Sequence, residues 1–253
     1  MARYFIEVAY NGKAYAGFQR QNNANTIQAE VERALQIYFK SIFELTGSSR
    51  TDAGVHAKQN YFHFDSPIKD SLLVKSIYHL NAILPLDIVV KNICKVRDNA
   101  HCRFDAVYRQ YRYLVYTSKD PFMQETGYYY PYSYNPNALV ECANEFMRHS
   151  NFQAFSKRNA QVSHFNCILY SSEWKFQGNY LSYTVRGNRF LRGMVKALVG
   201  TMLNLASNSG SKEDLINILQ SGDCTKANFS VPSKGLTLEE VNFRDADISL
   251  NEV

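Results

Sequence analysis

The dipeptide Gly178-Asn179 narrows the folds open to this chain more than any other feature. It divides two runs, 167–176 and 180–185. In the first, Trp174 and Phe176 alternate with Glu173 and Lys175. In the second, Leu181, Tyr183 and Val185 alternate with Ser182 and Thr184. A period of two marks a strand with one buried face, and a Gly-Asn dipeptide between such runs marks a tight hairpin. A hairpin pairs its strands antiparallel, so an all-helical fold and a wholly parallel sheet are both excluded.

The remaining segments alternate between the two periods. Tyr4, Ile6, Val8 and Tyr10 read as a strand that ends at Asn11-Gly12. Ile27, Val31, Ala34, Leu35 and Tyr38 recur at helical spacing, with Asn25 as cap and Gln28 reaching back to it. Strands are expected over 43–46 and 60–64. A second helix, capped by Asp70 or Ser71, runs to about Leu84, where Pro85 stops it. Strands follow at 87–96 and 111–117. The stretch 127–137, dense in Tyr, Pro and Asn, reads as a linker. A comparable series then follows: a helix over 136–148, the hairpin, and an amphipathic helix through Leu191, Met194, Val195, Leu198, Val199, Met202 and Leu203. A short helix opens with a Ser211/Asp214 capping box, and 236–243 closes as a strand. The simplest architecture is α+β: two ferredoxin-like halves sharing a mixed, mainly antiparallel sheet with a central cleft. The expected halves are 1–108 and 109–253, the second carrying a basic helix.

Bulk properties bound the function. The 253 residues fit one large or two small domains, and 45% hydrophobic residues suffice for a core. No apolar run approaches the roughly 18 residues of a spanning helix, and the N-terminus lacks the pattern of a secretory signal. A cytoplasmic protein without membrane contact is expected. The five cysteines are scattered, with no C-x-x-C pair, which argues for reduced, mostly buried thiols rather than disulfides or zinc. Net charge is +5, and many of the 18 Tyr and 16 Phe stand beside Arg or Lys, as in 109–113. Aromatic faces next to cations suit RNA; they equally fill strands of a large sheet.

One segment concentrates chemistry. In SSRTDAGVHA, residues 48–57, a carboxylate stands among Arg50, Thr51, Gly54 and His56. A cation beside Asp52 favours its ionised form, as a nucleophile or base requires. Thr-Asp-Ala-Gly is also an everyday turn in which the Asp caps backbone N–H groups. Farther on, Arg189, Arg192 and Lys196 fall at i, i+3 and i+7, which on a helix is one edge beside the apolar stripe. That edge is either a solvated flank or a source of positive charge for a buried carboxylate. No histidine stands at metal-site spacing, and neither G-x-x-x-x-G-K-[ST] nor G-x-G-x-x-G occurs. No metal and no nucleotide cofactor is expected.

The run Arg50-Thr51-Asp52-Ala53-Gly54-Val55-His56-Ala57 resembles the signature of the tRNA pseudouridine synthase A family. The likeness extends along nearly the whole chain. It takes in Tyr15-x-Gly17-Phe18-Gln19-x-Gln21 with Thr26-Ile27-Gln28, then Phe104 and 109–113. It continues through 152–157 (FQAFSK), 190–200 (FLRGMVKALVG) and Gly235-Leu236-Thr237-Leu238. Trp is common in that family in place of Phe18. The resemblance implies a pseudouridine synthase fold and isomerisation of uridine to pseudouridine in the anticodon stem-loop of tRNA, at tRNA positions 38 to 40. It also implies a homodimer and a reaction without cofactor. It maps the essential aspartate onto Asp52, an active-site tyrosine onto Tyr111, and the basic partner of the aspartate onto Lys196. Arg is usual there, and Lys lacks its bidentate fork.

On that reading Asp52 acts either by covalent attack or as a base on the sugar; both routes stay open. Tyr111 takes the C5 proton or stacks on the uracil. Arg50 is placed to fill the space left by a flipped-out uridine. Arg20, Lys157, Arg158, Arg186, Arg189 and Arg192 are candidate phosphate contacts. Two rival readings remain: an RNA-binding module with aromatic strands such as 61–64, and a metal-dependent hydrolase using Asp52 and His56.

Overall fold

The computed structural model describes residues 1–158 and 162–244. The chain is mixed α+β and divides into two compact units. Among the described residues the first holds Met1–Val107 and is joined by 238–244; the second is Tyr108–Thr237. The last stretch, expected with the C-terminal half, thus groups with the N-terminal one. Among the described residues no helix is long and apolar enough to cross a membrane.

In the first unit β1 (Ala2–Tyr10) leads into α1 (Ile27–Phe39), the short β2 (Thr46–Gly47), β3 (His56–Ser66), α2 (Asp70–Ile83) and β4 (Ile88–Val96). β1 lies between β4 and β3, antiparallel to both. Both faces of this sheet are covered. On one, Tyr4 stacks on Phe64 and Phe18 stacks on Phe62, with ring centroids 5.7 and 4.3 Å apart. On the other, Phe243 meets Phe5 and Tyr61 at 5.2 and 5.1 Å. The first strand is therefore buried continuously rather than in strict alternation, and even Glu7 is buried. Its carboxylate accepts from the Tyr61 hydroxyl at 2.9 Å and pairs with Lys91 at 3.0 Å.

Two caps differ from expectation. Thr26, not Asn25, caps α1, its hydroxyl accepting from the Ala29 N–H. The Gln28 side chain instead accepts from Arg20 N and donates to Glu32 and the Leu45 carbonyl. α2 is preceded by Lys69, which makes no side-chain cap; Asp70 lies inside the first turn and accepts from the Tyr4 hydroxyl at 2.6 Å. A tertiary donor has outcompeted the local backbone for that carboxylate. Pro85 follows the end of α2 as expected.

The second unit contains β5 (Tyr108–Tyr116), β6 (Tyr128–Tyr129), α3 (Pro136–Phe146), β7 (Leu169–Gln177), β8 (Tyr180–Gly187), α4 (Met194–Ser207) and α5 (Lys212–Ser221). β8 pairs antiparallel with both β5 and β7, and Gly178 turns the hairpin at φ +59°. The expected linker is not one. β6 adds parallel to β5, the Tyr130 hydroxyl bonds the Ser207 side chain and the Leu203 carbonyl, and Asn135 caps α3. The Ser211/Asp214 capping box at α5 is complete. β9 (Leu236–Asn242) follows, and from Leu238 it lies with the first unit. There Lys58 pairs with Glu239 at 2.9 Å, and the Gln59 side chain accepts from Val241 N.

The helix expected through Leu191 begins only at Met194, because Gly193 sits at φ +74°. Arg189 and Arg192 therefore precede the helix and share no helical edge with Lys196. The apolar periodicity runs on through a turn, which hydrophobic spacing alone does not distinguish from a first helical turn.

Phe62→Ala, in the aromatic stack of the first unit, is expected to lower stability by roughly 3–5 kcal/mol in urea titration. A second expectation concerns pH. His63 is buried on β3, with Nδ1 3.2 Å from Cys102 Sγ and its ring beside His101. Burial first, then the His101 and Arg3 charges, push it down to about 4. Between that value and its ordinary 6.5 the unfolded chain holds the extra proton, so stability falls as pH drops through this window. Urea midpoints of His63→Gln fall less across this window than those of the wild type; equal falls contradict the assignment.

Candidate active site

The Asp52 loop lies between β2 and β3 and is fastened by the chain that follows β1. Thr51 and Asn60 bracket it. The Tyr10 hydroxyl bonds Thr51 Oγ1 at 2.8 Å, and Asn60 Nδ2 donates to that same hydroxyl at 3.1 Å and to the Ser49 carbonyl at 2.9 Å. Backbone bonds complete the attachment. The Thr51 carbonyl accepts from Phe18 N, the Tyr15 carbonyl from Gly54 N, and the Asp52 carbonyl from Val55 N. The Tyr15 hydroxyl is itself tied to Asp87 at 2.6 Å; burial, with this bond second, raises its pKa.

Glycines make this approach possible. A Cβ on Gly12 would stand 2.0 Å from the Val55 carbonyl oxygen. Gly17, at φ +123°, packs on the Thr51 carbonyl. The family-like Tyr15-x-Gly17-Phe18 run thus docks on the aspartate loop while Phe18 anchors in the core.

Within the loop the side chains divide. Ser48, Ser49, Thr51, Val55 and His56 are buried, Asp52 is half-buried and Arg50 is exposed. His56 turns one ring nitrogen toward the chain after β1. Its Nδ1 accepts from Gly12 N at 3.2 Å, so that nitrogen carries no proton in this arrangement. The same bond withdraws that nitrogen from the rival metal reading. Among the described residues no three of His, Cys, Asp and Glu gather closely enough to hold a metal ion.

The other expected residues lie in the second unit. Tyr111 is buried on β5, its ring edge-on to Phe190 at 5.1 Å. Lys196, in the first turn of α4, is half-buried and donates to Ser233 Oγ at 3.3 Å. Arg186 lies 4.5 Å over the Tyr108 ring and donates twice to Gln110. Lys157 runs along Gly193, and its backbone N–H donates to the Arg192 carbonyl. Arg189 meets the His164 ring at 3.2 Å, while Arg158 and Arg192 are exposed. In the first unit Arg20 is ion-paired to Glu32 at 2.8 Å. The structure so gathers Lys157 with Arg192, and Arg186 with Tyr108, as local pairs.

Sequence reasoning missed the supporting roles of Tyr10, Gly12, Thr51 and Asn60 around the loop, and the burial of Arg109, whose guanidinium donates to the Asn188 carbonyl at 3.0 Å. Asn11-Gly12 is visible as a turn, but nothing in it signals a partner some forty residues on. Tyr10→Phe tests the attachment. It removes the hydroxyl that Asn60 and Thr51 share in a buried setting, which costs about 1–3 kcal/mol in urea titration. Unchanged stability would show that the hydroxyl is dispensable.

A family model described as tRNA pseudouridine synthase matches residues 6–105 and 143–244. A protein called tRNA pseudouridine synthase A from Parabacteroides distasonis is 40% identical over 245 residues, covering 96% of each chain. Proteins of the same name from Porphyromonas gingivalis and Staphylococcus aureus strain Newman are 36% and 34% identical. They cover 95% and 94% of this chain, and 97% and 90% of their own lengths. With the match reaching both units and nearly every residue, the chain belongs to the tRNA pseudouridine synthase family, a family of isomerases.

Proposed function

We propose that the protein converts uridine to pseudouridine in the anticodon stem-loop of tRNA, with Asp52 as the one essential carboxylate and no cofactor. The observation that carries this reading is the fixed, half-buried placement of Asp52 on a loop tied down from both sides. In the reaction the bond from C1′ to N1 breaks, the uracil turns within the site, and C1′ joins C5. The C5 proton leaves and N1 gains one. Atoms and electrons balance without an oxidant, a reductant or a phosphoryl donor.

Asp52 supplies the anionic oxygen for this exchange, by attack on the nucleoside or by taking a sugar proton. Tyr111 faces the base, as acceptor of the C5 proton or as a stacking surface. Lys196 is the basic partner that the resemblance assigns to Asp52, a compact ammonium where an arginine fork is usual. Arg50, exposed on the same loop as Asp52, fills the gap left when the uridine is extruded, a step costing a few kcal/mol. Arg20, Lys157, Arg158, Arg186, Arg189 and Arg192 meet phosphates. We propose further that the protein acts as a homodimer in the cytoplasm, as the resemblance implies.

The test is tritium release from unmodified tRNA labelled at uracil C5. Asp52→Asn keeps RNA affinity and loses more than about a thousandfold in rate. Wild-type protein that binds tRNA and releases no tritium would instead mark an RNA-binding module. Lys196→Met lowers the rate by about a hundredfold to a thousandfold, the range of one removed electrostatic contact at a transition state. A Lys196→Met enzyme as fast as wild type would remove Lys196 from the mechanism.

A further inference from the structure

The connection from β4 to β5, residues 97–107, is firmly built around an exposed aromatic ring. The Asp105 carboxylate accepts from the Arg97 guanidinium at 2.9 Å and from His101 N at 2.8 Å. The Ala100 carbonyl accepts from Arg3 at 2.9 Å, and the buried Cys102 donates to the Thr46 carbonyl. Both Phe104 N and Asp105 N donate to the His101 carbonyl at 3.0 Å. Despite this order, the Phe104 side chain is not turned inward; the residue is 73% exposed. Its ring is buttressed by His101 at 4.3 Å, and the Arg103 guanidinium stands 5.6 Å from its centroid.

Phe104, Arg103 and His101 line a cavity of about 200 Å³ with Gln19, Gly47 and Arg50. That volume is below the roughly 300 Å³ at which small-molecule sites begin, so it suits one planar ring system rather than a whole cofactor. Its lining carries two arginines and a histidine and, among the described residues, no carboxylate. An aromatic ring beside guanidinium groups is the chemistry that stacks an unpaired base and meets its phosphate. Arg50 belongs both to this lining and to the Asp52 loop.

We infer that this cavity is an RNA subsite taking a single unpaired nucleotide near the uridine being modified, its base stacked on Phe104 and its phosphate toward Arg103. The inference rests on the reading of Asp52 above. It assigns Phe104 to substrate positioning rather than to bond making.

The experiment measures equilibrium binding of unmodified tRNA, and of tRNAs assembled with an abasic ribose at one position at a time. The proteins are wild type, Phe104→Ala, Phe104→Trp and, as a control, Phe122→Ala, a phenylalanine 90% exposed elsewhere. Phe104→Ala binds intact tRNA about tenfold more weakly, and Phe104→Trp restores the affinity. Wild type loses a similar factor on abasic tRNA at one position, where Phe104→Ala loses nothing more. In turnover Phe104→Ala raises KM rather than lowering kcat. Phe122→Ala matches wild type. The inference is overturned if Phe104→Ala binds within about twofold of wild type, or if no single abasic position separates the two proteins. Wild-type protein that shows the binding pattern but releases no tritium defeats the proposed reaction and leaves the subsite standing.

Discussion

The hydroxyl of Tyr10 is the constraint on which the Asp52 loop depends. It joins the end of the first strand to Thr51 on one side and to Asn60 on the other, among residues buried from solvent. Buried polar groups without partners are costly, so each of these residues has little freedom to leave. The backbone bonds of 15–18 to 51–54 and the close seat of Gly12 under Val55 reinforce the same arrangement. The consequence is that Asp52 sits on a short piece of chain whose surroundings cannot easily adapt. The proposed reaction would benefit from such rigidity, because misplacement of a reacting group by even an ångström is expensive at a transition state.

Positive charge is distributed differently. Arg186 and Arg20 meet a neutral and an acidic neighbour, Gln110 and Glu32, and Arg158 and Arg192 are exposed. A phosphate at Arg20 would have to displace Glu32 from its guanidinium. Arg186 keeps a fixed orientation over Tyr108, so its planar guanidinium is pre-set for whatever it meets.

Much of the fold is readable from local pattern. The Gly178 hairpin, the Ser211 capping box, the Pro85 stop and the helix start at Pro136 all depend on neighbours within a few residues. The misreadings share a cause as well. Asn25 and Asp70 have the chemistry of caps, but Thr26 caps α1 and the Tyr4 hydroxyl captures the Asp70 carboxylate. The polar, tyrosine-rich 127–137 stretch has the composition of a linker, yet β6 pairs with β5 and Tyr130 finds Ser207. The apolar run through Leu191 hides a glycine at positive φ that delays the helix.

By itself the sequence determined the alternation of strands and helices, the antiparallel hairpin, and a conspicuous loop holding one carboxylate between Arg50 and His56. These rest on backbone preferences and on periodicity, which act between residues close along the chain. Only the tertiary structure decided that His56 accepts from Gly12, that Tyr10 and Asn60 hold the loop at Thr51 and Ser49, and that residues 238–244 join the first unit. Those outcomes depend on which donors and acceptors are buried together between segments far apart in the chain. No local pattern encodes that pairing, because it is settled by packing.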